Sequence, residues 1–252
     1  MNISKAKIAK FARLNNKKFR KQEGLFAVEG TKGVVDTLPF FNLEYLVATE
    51  DWLLDNQKYT KQVDQSKILT ANQLEFNKMS SLSTPSSVIA IYKIIETEFD
   101  IEKPLNEGYY LVLDGVQDPG NFGTIIRTAH WFGISKIFCS QDTVDLYNPK
   151  TIQSTMGSMA KVEIFYCDIL RLIEFNSHMQ SYALDLIGED IFKKTNFAPG
   201  FFIMGKEGSG ISKEVKQLVG NFLTIPPADS RNHPDSLNVA VATAITLSQV
   251  KK

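Results

Sequence analysis

The stretch Phe201-Phe202-Ile203-Met204-Gly205-Lys206-Glu207-Gly208-Ser209-Gly210-Ile211-Ser212 decides how the C-terminal half is read. Its first four residues are continuously apolar, the pattern of a strand covered on both faces. Gly205, Gly208 and Gly210 follow at once, so the chain needs unusual dihedrals there, or something approaches its backbone closely. Ser212 is placed to cap a helix carrying Val215, Leu218 and Val219, with Gly220 at its end. Buried strand, glycine turn and capped helix make one β-α unit. The turn has neither the Gly-x-x-x-x-Gly-Lys-Ser/Thr of a phosphate-cradling loop nor the Gly-x-Gly-x-x-Gly of a dinucleotide fold.

Outward from this unit the alternation repeats. Strand-like runs are expected at 110–113, 136–139, 162–166, 181–186, 201–204 and 222–225. Helical patterns fall near 121–133, 148–159, 168–178, 211–219 and 236–250. Such an order predicts an α/β domain whose mainly parallel sheet has helices on both faces. Ligands of such sheets sit beyond the carboxyl ends of the strands. Two further loops in that position stand out. In Leu113 to Arg127, Pro119-Gly120 makes a turn and Asn121 is placed to cap a helix. Phe122, Ile125, Ile126 and Ala129 form that helix's apolar stripe, leaving Thr124, Arg127, Thr128 and Trp131 on another face. Taken alone, Asn121 reads as a cap and Arg127 as a surface cation. The other loop runs from Thr224-Ile225-Pro226-Pro227 to Ser236-Leu237-Asn238-Val239. Ser236 is a natural N-cap there, and Asn238 in a buried helix needs a hydrogen-bond partner. From Val239 to Leu247 only two threonines interrupt the apolar residues, so that helix is buried in its domain or against a second subunit.

The first 95 residues read as a separate small α/β domain, with strands at 25–28, 43–47 and 88–92. Residues 96–108 have a linker composition, and 109–252 hold the larger domain. Between Met1 and Gln22 lie eight basic residues and no acid, with Ile8, Phe11 and Ala12 at helical spacing. This predicts a basic amphipathic helix. On charge alone it is either a solvated face or an arm that tracks phosphates through Lys17, Lys18, Arg20 and Lys21.

Composition bounds the rest. Of 252 residues 43% are hydrophobic and 22% charged, with formal net charge zero, as in ordinary globular proteins. No apolar run reaches the roughly 18–20 residues that span a bilayer, so no membrane is expected. No apolar stretch follows the basic N-terminal residues, so no secretory signal is expected and a cytoplasmic protein is. Cys139 and Cys167 sit in apolar runs as core residues, and His130, His178 and His233 lack ligand spacing, so no metal is expected.

As a set, the three loops resemble the SpoU/TrmH branch of the SPOUT methyltransferases. Asn121 with Arg127, Gly205 to Gly210, and Ile225-Pro226 with Ser236 to Val239 match its three motifs in order. Gln153 to Gly157 looks like its helix between the first two. Leu14 to Gly30 and Thr84-Pro85 with Val88-Ile89-Ala90 resemble the ribosomal-protein-like RNA-binding domain that often precedes it. The resemblance implies a C-terminal trefoil knot, a homodimer, and methyl transfer from S-adenosylmethionine to a ribose 2′-hydroxyl of ribosomal or transfer RNA. It implies that Met204, Gly205, Gly208, Ile225, Pro226 and Leu237 hold the cofactor. Arg127 would serve ribose and phosphate, with Asn121, Glu207, Ser236 and Asn238 in support. The loop 228–235 is slightly longer than the family's short form and carries Arg231, Asn232 and His233.

Two other readings stay open at this point: an RNA-binding protein of the same fold without turnover, and a nucleotide-dependent α/β enzyme. The chemistry itself asks for removal of the hydroxyl proton. A guanidinium's ordinary pKa exceeds about 12, so making one neutral near pH 7 costs roughly 7 kcal/mol. Arg127 therefore reads as a positioning and charge-stabilising group, although the resemblance leaves a role as base open.

Overall fold

A computed structural model of the chain describes residues 1–95, 97–229 and 232–250. Its contacts divide into two compact units, Met1–Glu96 with Asp145–Ala160, and Thr97–Val144 with Lys161–Lys252.

The first unit begins with α1 (Lys5–Arg13) and α2 (Lys17–Glu23), two short helices where the charge pattern predicts one. Asn16 separates them: it is extended, and its side chain accepts from Lys18 N as the cap of α2. Then come β1 (Leu25–Glu29), α3 (Thr31–Thr37), β2 (Leu43–Ala48), α4 (Glu50–Asp55), α5 (Gln57–Thr60), β3 (Ile68–Thr70), α6 (Gln73–Met79) and β4 (Val88–Lys93). The sheet order is β1-β4-β2-β3, antiparallel except for the β2–β3 pair. Three-residue β3 went unforeseen because a run that short has no readable period. Apolar residues line both sheet faces, with Phe11, Phe76 and Ile91 in one cluster and Phe26, Leu46 and Tyr92 in another.

The second unit holds β5 (Tyr109–Asp114), α7 (Pro119–Trp131) and β6 (Lys136–Cys139). The chain then supplies α8 (Pro149–Thr155) to the first unit, where it packs on β1. After it come β7 (Glu163–Tyr166), α9 (Ile169–Phe175), β8 (Gln180–Asp190), β9 (Gly200–Gly205), α10 (Lys213–Leu218), β10 (Asn221–Thr224) and α11 (Val239–Val250). Six strands in the order β10-β8-β9-β5-β6-β7 form a sheet in which every pair is parallel. On one face Val112, Phe138, Phe201 and Ile203 pack with Leu172 and Ile173 of α9 and Val215 of α10. On α7 the stripe Phe122, Ile125, Ile126 and Ala129 is fully buried, and α11 packs on α7 and β9. Each buried Phe, Ile, Leu or Val side chain among these contributes about 1.5–3 kcal/mol through burial. Cys139 and Cys167 are free and buried in this core. Burial pushes the Cys139 thiol well up and the Cys167 thiol to about 11, so neither is a ready nucleophile.

The segment before β5 is no free tether. Phe99 packs its ring on Phe138 and Phe165, and Leu105 is buried with its N–H on Asn176 Oδ1 at 3.0 Å. Its acids had concealed a few apolar anchors.

Candidate active site

β5 and β9 are neighbours in register, with Asp114 opposite Gly205 at their carboxyl ends. Asp114 Oδ2 accepts from Ser212 N at 2.7 Å, so the last residue of one strand fixes the turn that leaves the other. Ser212 caps α10 as expected, accepting from Val215 N.

Two caps differ from expectation. Asp118, not Asn121, caps α7, accepting Asn121 N at 2.7 Å, and Pro119 follows as the first helical residue. Asp-Pro was the overlooked signal, since proline is favoured in the first helical turn, where its missing N–H costs nothing. Asn121 therefore keeps its amide for other partners. In α11, Asn238 Oδ1 accepts from Ala240 N at 2.9 Å and Val241 N at 3.3 Å, so Asn238 is the cap and Ser236 lies in the exposed segment before it.

These changes join all three loops. Asn121 Nδ2 donates to Glu207 Oε1 at 2.9 Å, and Asn238 Nδ2 donates to Asn121 Oδ1 at 2.9 Å. Glu207 Oε2 also accepts Gln117 N at 3.3 Å, a contact with no sequence signal because it is made by a backbone group. A carboxylate only accepts, so Glu207 must receive the amide NH2 of Asn121. That turns the oxygen of Asn121 toward Asn238, whose own oxygen is committed to the helix end. One carboxylate sets the direction of the whole chain.

Beside this chain lies a cavity of about 770 Å³, lined by Met204, Gly205, Glu207, Gly208, Ile225, Ser236, Leu237 and Asn238 among others. Pro226 is not part of its lining. The turn closes on itself through Lys206 N to Gly210 O at 3.0 Å and Gly210 N to Lys206 O at 2.9 Å. Gly208 and Gly210 have φ of +88° and +69°, which side-chain-bearing residues avoid. Gly205 is glycine for another reason. A Cβ there would lie 2.3 Å from Gly210 C and 2.4 Å from Ile211 N, so the close approach is by the chain's own backbone. Gly205→Val is thus expected to disrupt the turn itself, and cannot serve as a clean probe of ligand contact.

The cavity fits S-adenosylmethionine. Its volume lies within the roughly 300–1,000 Å³ of small-ligand sites. Leu237, 49% exposed, offers an apolar wall of the kind that covers a nucleobase. Asp185, Glu207 and Asp235 lie on the lining with the glycine turn, Lys206 and Lys216, and their carboxylates are acceptors suited to a cationic sulfonium and amine. Asp185 pairs with Lys216, another contact between distant elements that no local pattern announces. Among the described residues no cluster of His, Cys, Asp and Glu could hold a metal ion, and no helix is long and apolar enough to cross a membrane.

Residues 108–248 match the SpoU rRNA methylase family, and residues 5–90 match the MRM3-like substrate binding domain. The chain belongs to the SpoU rRNA methylase family. Similar solved structures include a TrmH-family protein from Porphyromonas gingivalis, 32% identical with TM-score 0.84, covering 99% of this chain and 98% of that one. An AdoMet-bound rRNA methyltransferase from Sinorhizobium meliloti is 27% identical with TM-score 0.83, covering 99% and 95%. The 23S rRNA (guanosine(2553)-2′-O)-methyltransferase RlmP of Bacillus subtilis is 27% identical over 97% of this chain and 96% of its own length. This SpoU enzyme is an S-adenosylmethionine-dependent RNA methyltransferase.

The remaining nominated residues fall in contrasting places. Arg127 is exposed on α7, outside the cavity lining, and among the described residues no hydrogen bond or ion pair holds its guanidinium. Lys17, Lys18 and Lys21 are exposed on α2. Arg20 is not part of an exposed arm. It is 3% exposed, donating from Nη1 to Leu14 O and from Nη2 to Asp145 Oδ2, both at 2.7 Å. An apolar face of α2 cannot be told from sequence when an arginine occupies it. Arg231 lies outside the described residues.

Proposed function

We propose that this SpoU enzyme methylates a ribose 2′-hydroxyl of structured RNA, ribosomal RNA foremost, and works as a homodimer. The observation that carries the reading is the hydrogen-bonded chain Glu207–Asn121–Asn238, which ties three motif loops together at the mouth of a ligand-sized cavity. The cofactor supplies an electrophilic methyl carbon on a sulfonium sulfur. Met204, Gly208, Ile225 and Leu237 would hold it, while Glu207 keeps Asn121 and Asn238 in one orientation. Ser236, on the cavity lining, supplies a further hydroxyl at the mouth.

Among the described residues nothing pairs with the Arg127 guanidinium, which stands on an exposed helix face and can take a phosphate and a ribose oxygen in bidentate fashion. Its role is to place the ribose and to stabilise charge as the hydroxyl proton leaves. Support for a second copy comes from α7 and α11, which leave Trp131 85% and Val241 49% exposed on helices that pack on each other. The knot expected of this fold belongs to the same reading, as does a cytoplasmic setting.

The test uses ribosomal RNA from cells lacking the gene, the full chain and S-adenosylmethionine labelled in its methyl group. Label is expected in dinucleotides that survive alkaline hydrolysis, because a 2′-O-methyl group removes the internal nucleophile. Label released in base-modified mononucleotides would overturn the ribose assignment.

A further inference from the structure

The first unit contains a second cavity, of about 250 Å³, remote in composition from the cofactor site. It runs along β1, an edge strand of the first sheet. Ladder bonds at Gly24 O and Gly30 N point to β4, so by alternation the peptide groups of Ala27 point to the free edge. Ala27, Met79, Ile89 and Ile91 give it an apolar floor, and Tyr147 and Ile152 give it a wall. At its rim stand Asn15 and Gln153, both exposed carboxamides, and among the described residues neither side chain is hydrogen-bonded. The rim also carries Met156 at φ +50°, which among the described residues alone of the non-glycines has positive φ. Met156 takes that conformation as the left-handed C-cap of α8, which turns the chain away there and leaves its side chain exposed at the rim.

We propose that this cavity receives one unpaired base of the substrate RNA. The inference rests on the RNA reading above and adds a recognition pocket to it. The volume suits a single ring system and falls short of the roughly 300–1,000 Å³ that larger ligands need. An apolar slot bounded by an aromatic ring, a methionine and free carboxamides is what a splayed-out base requires, since it stacks by its faces and is read along its edge. Phosphate contacts are at hand: Asn15 lies in the α1–α2 connection, with exposed Arg13, Lys17 and Lys18 beside it in the chain. A basic strip next to an apolar slot accommodates a nucleotide, whereas a purely apolar peptide would leave the strip unused. Arg20 gains a role here as a positioning residue. Its guanidinium bonds Leu14 O, on the lining, and Asp145, two residues before Tyr147, so it staples two walls of the pocket.

The experiment compares binding of the full chain to a single-stranded RNA nonamer of random sequence and to a blunt RNA duplex of the same composition. Variants are Asn15→Ala with Gln153→Ala, and separately Met156→Gly. The first pair is exposed, and glycine suits the backbone at position 156, so both proteins should fold, with melting temperature as the check. Affinity for the nonamer is expected to fall by about tenfold in each, the loss of one stacked and edge-read base. Affinity for the duplex and the salt slopes should stay unchanged, because phosphate contacts are intact. Equal losses on both RNAs, or none on either, would overturn the pocket while leaving RNA as the substrate. A wild-type chain that binds the duplex but not the nonamer would overturn the pocket and leave RNA as the substrate.

Discussion

Arg20 on α2 and Arg127 on α7 begin as equals, each a cation on a helix and each a candidate for RNA contact. The structure sends them to opposite environments. Arg20 enters the core of its unit, where Leu14 O and Asp145 take its charge. Arg127 stays exposed on its helix, with no partner for its fork among the described residues. The difference lies in the surroundings. On α7 four apolar residues at i, i+3, i+4 and i+7 claim the buried face and expel the arginine. On α2 the inward positions are short of apolar residues, so an arginine fills one and must bring a carboxylate from residue 145 to do so. Burial with a partner makes a cation structural; exposure without one leaves it available for chemistry.

The largest effect expected from this contrast is on stability. Arg20→Ala removes one member of a pair whose side chains are 3% and 19% exposed, leaving Asp145 uncompensated. Loss of a buried pair's partner costs about 3–5 kcal/mol, a large share of a domain's total. Urea denaturation should show it as a lower midpoint. A midpoint within error of wild type would return Arg20 to the exposed arm.

Next in size is Arg127→Ala, where the loss falls on turnover. Methyl transfer in a single-turnover assay should drop by about a hundredfold or more, the scale of removing a preorganised charge from a reacting centre. Its melting temperature should hold, within the range of ordinary surface changes. Cofactor affinity should hold too, since the cavity lining excludes Arg127. Lysine should rescue poorly, because a point charge does not reproduce the guanidinium fork. If Ala and wild type transfer methyl at similar rates, the contrast between the two arginines has no catalytic content.

The same contrast explains how much was legible beforehand. The parallel sheet was readable because strands buried on both faces are continuous apolar runs, and residues 201–204 and 110–113 leave no other choice. Motif residues Asn121, Glu207 and Asn238 were readable as types and positions. Their bonding was not, because it depends on which residue caps each helix, and Asp118 and Asn238 took the roles expected of Asn121 and Ser236. Pairings between distant residues, Arg20 with Asp145 or Asp185 with Lys216, have no local trace. Nor does the transfer of α8 to the first unit, since chain order suggests it belongs with its neighbours.

A smaller effect should come from the cations that stayed outside. Changing Lys17, Lys18 and Lys21 to Gln removes three exposed charges without touching Arg20. The logarithmic salt slope of RNA binding should flatten by about two to three units, at roughly 0.7–0.9 per phosphate contact. Stability and cofactor affinity should be unchanged. A slope that stays at the wild-type value would show these lysines to be merely solvated.

The smallest effect contrasts Ser236 and Asn238, and it tests whether the cap of α11 has been placed correctly. Both are polar residues of types that favour caps, and sequence preference alone nominates Ser236 as readily. Their geometry separates them. Asn238 Oδ1 takes two N–H groups of the first helical turn, while Ser236 precedes the helix by three residues and lies exposed. Asn238→Ala should therefore cost about 1 kcal/mol for the lost cap, with some addition because Asn121 Oδ1 loses its donor. Asn238→Asp should retain the cap, as a carboxylate also accepts from the helix end, yet it cannot donate to Asn121. That variant separates the two bonds. Ser236→Ala should stay within about 0.5 kcal/mol of wild type in stability. Denaturant midpoints of the three variants, measured with equal slopes, give the ranking. A Ser236→Ala cost matching that of Asn238→Ala would move the cap back to Ser236, and with it would go the directed chain from Glu207 through Asn121.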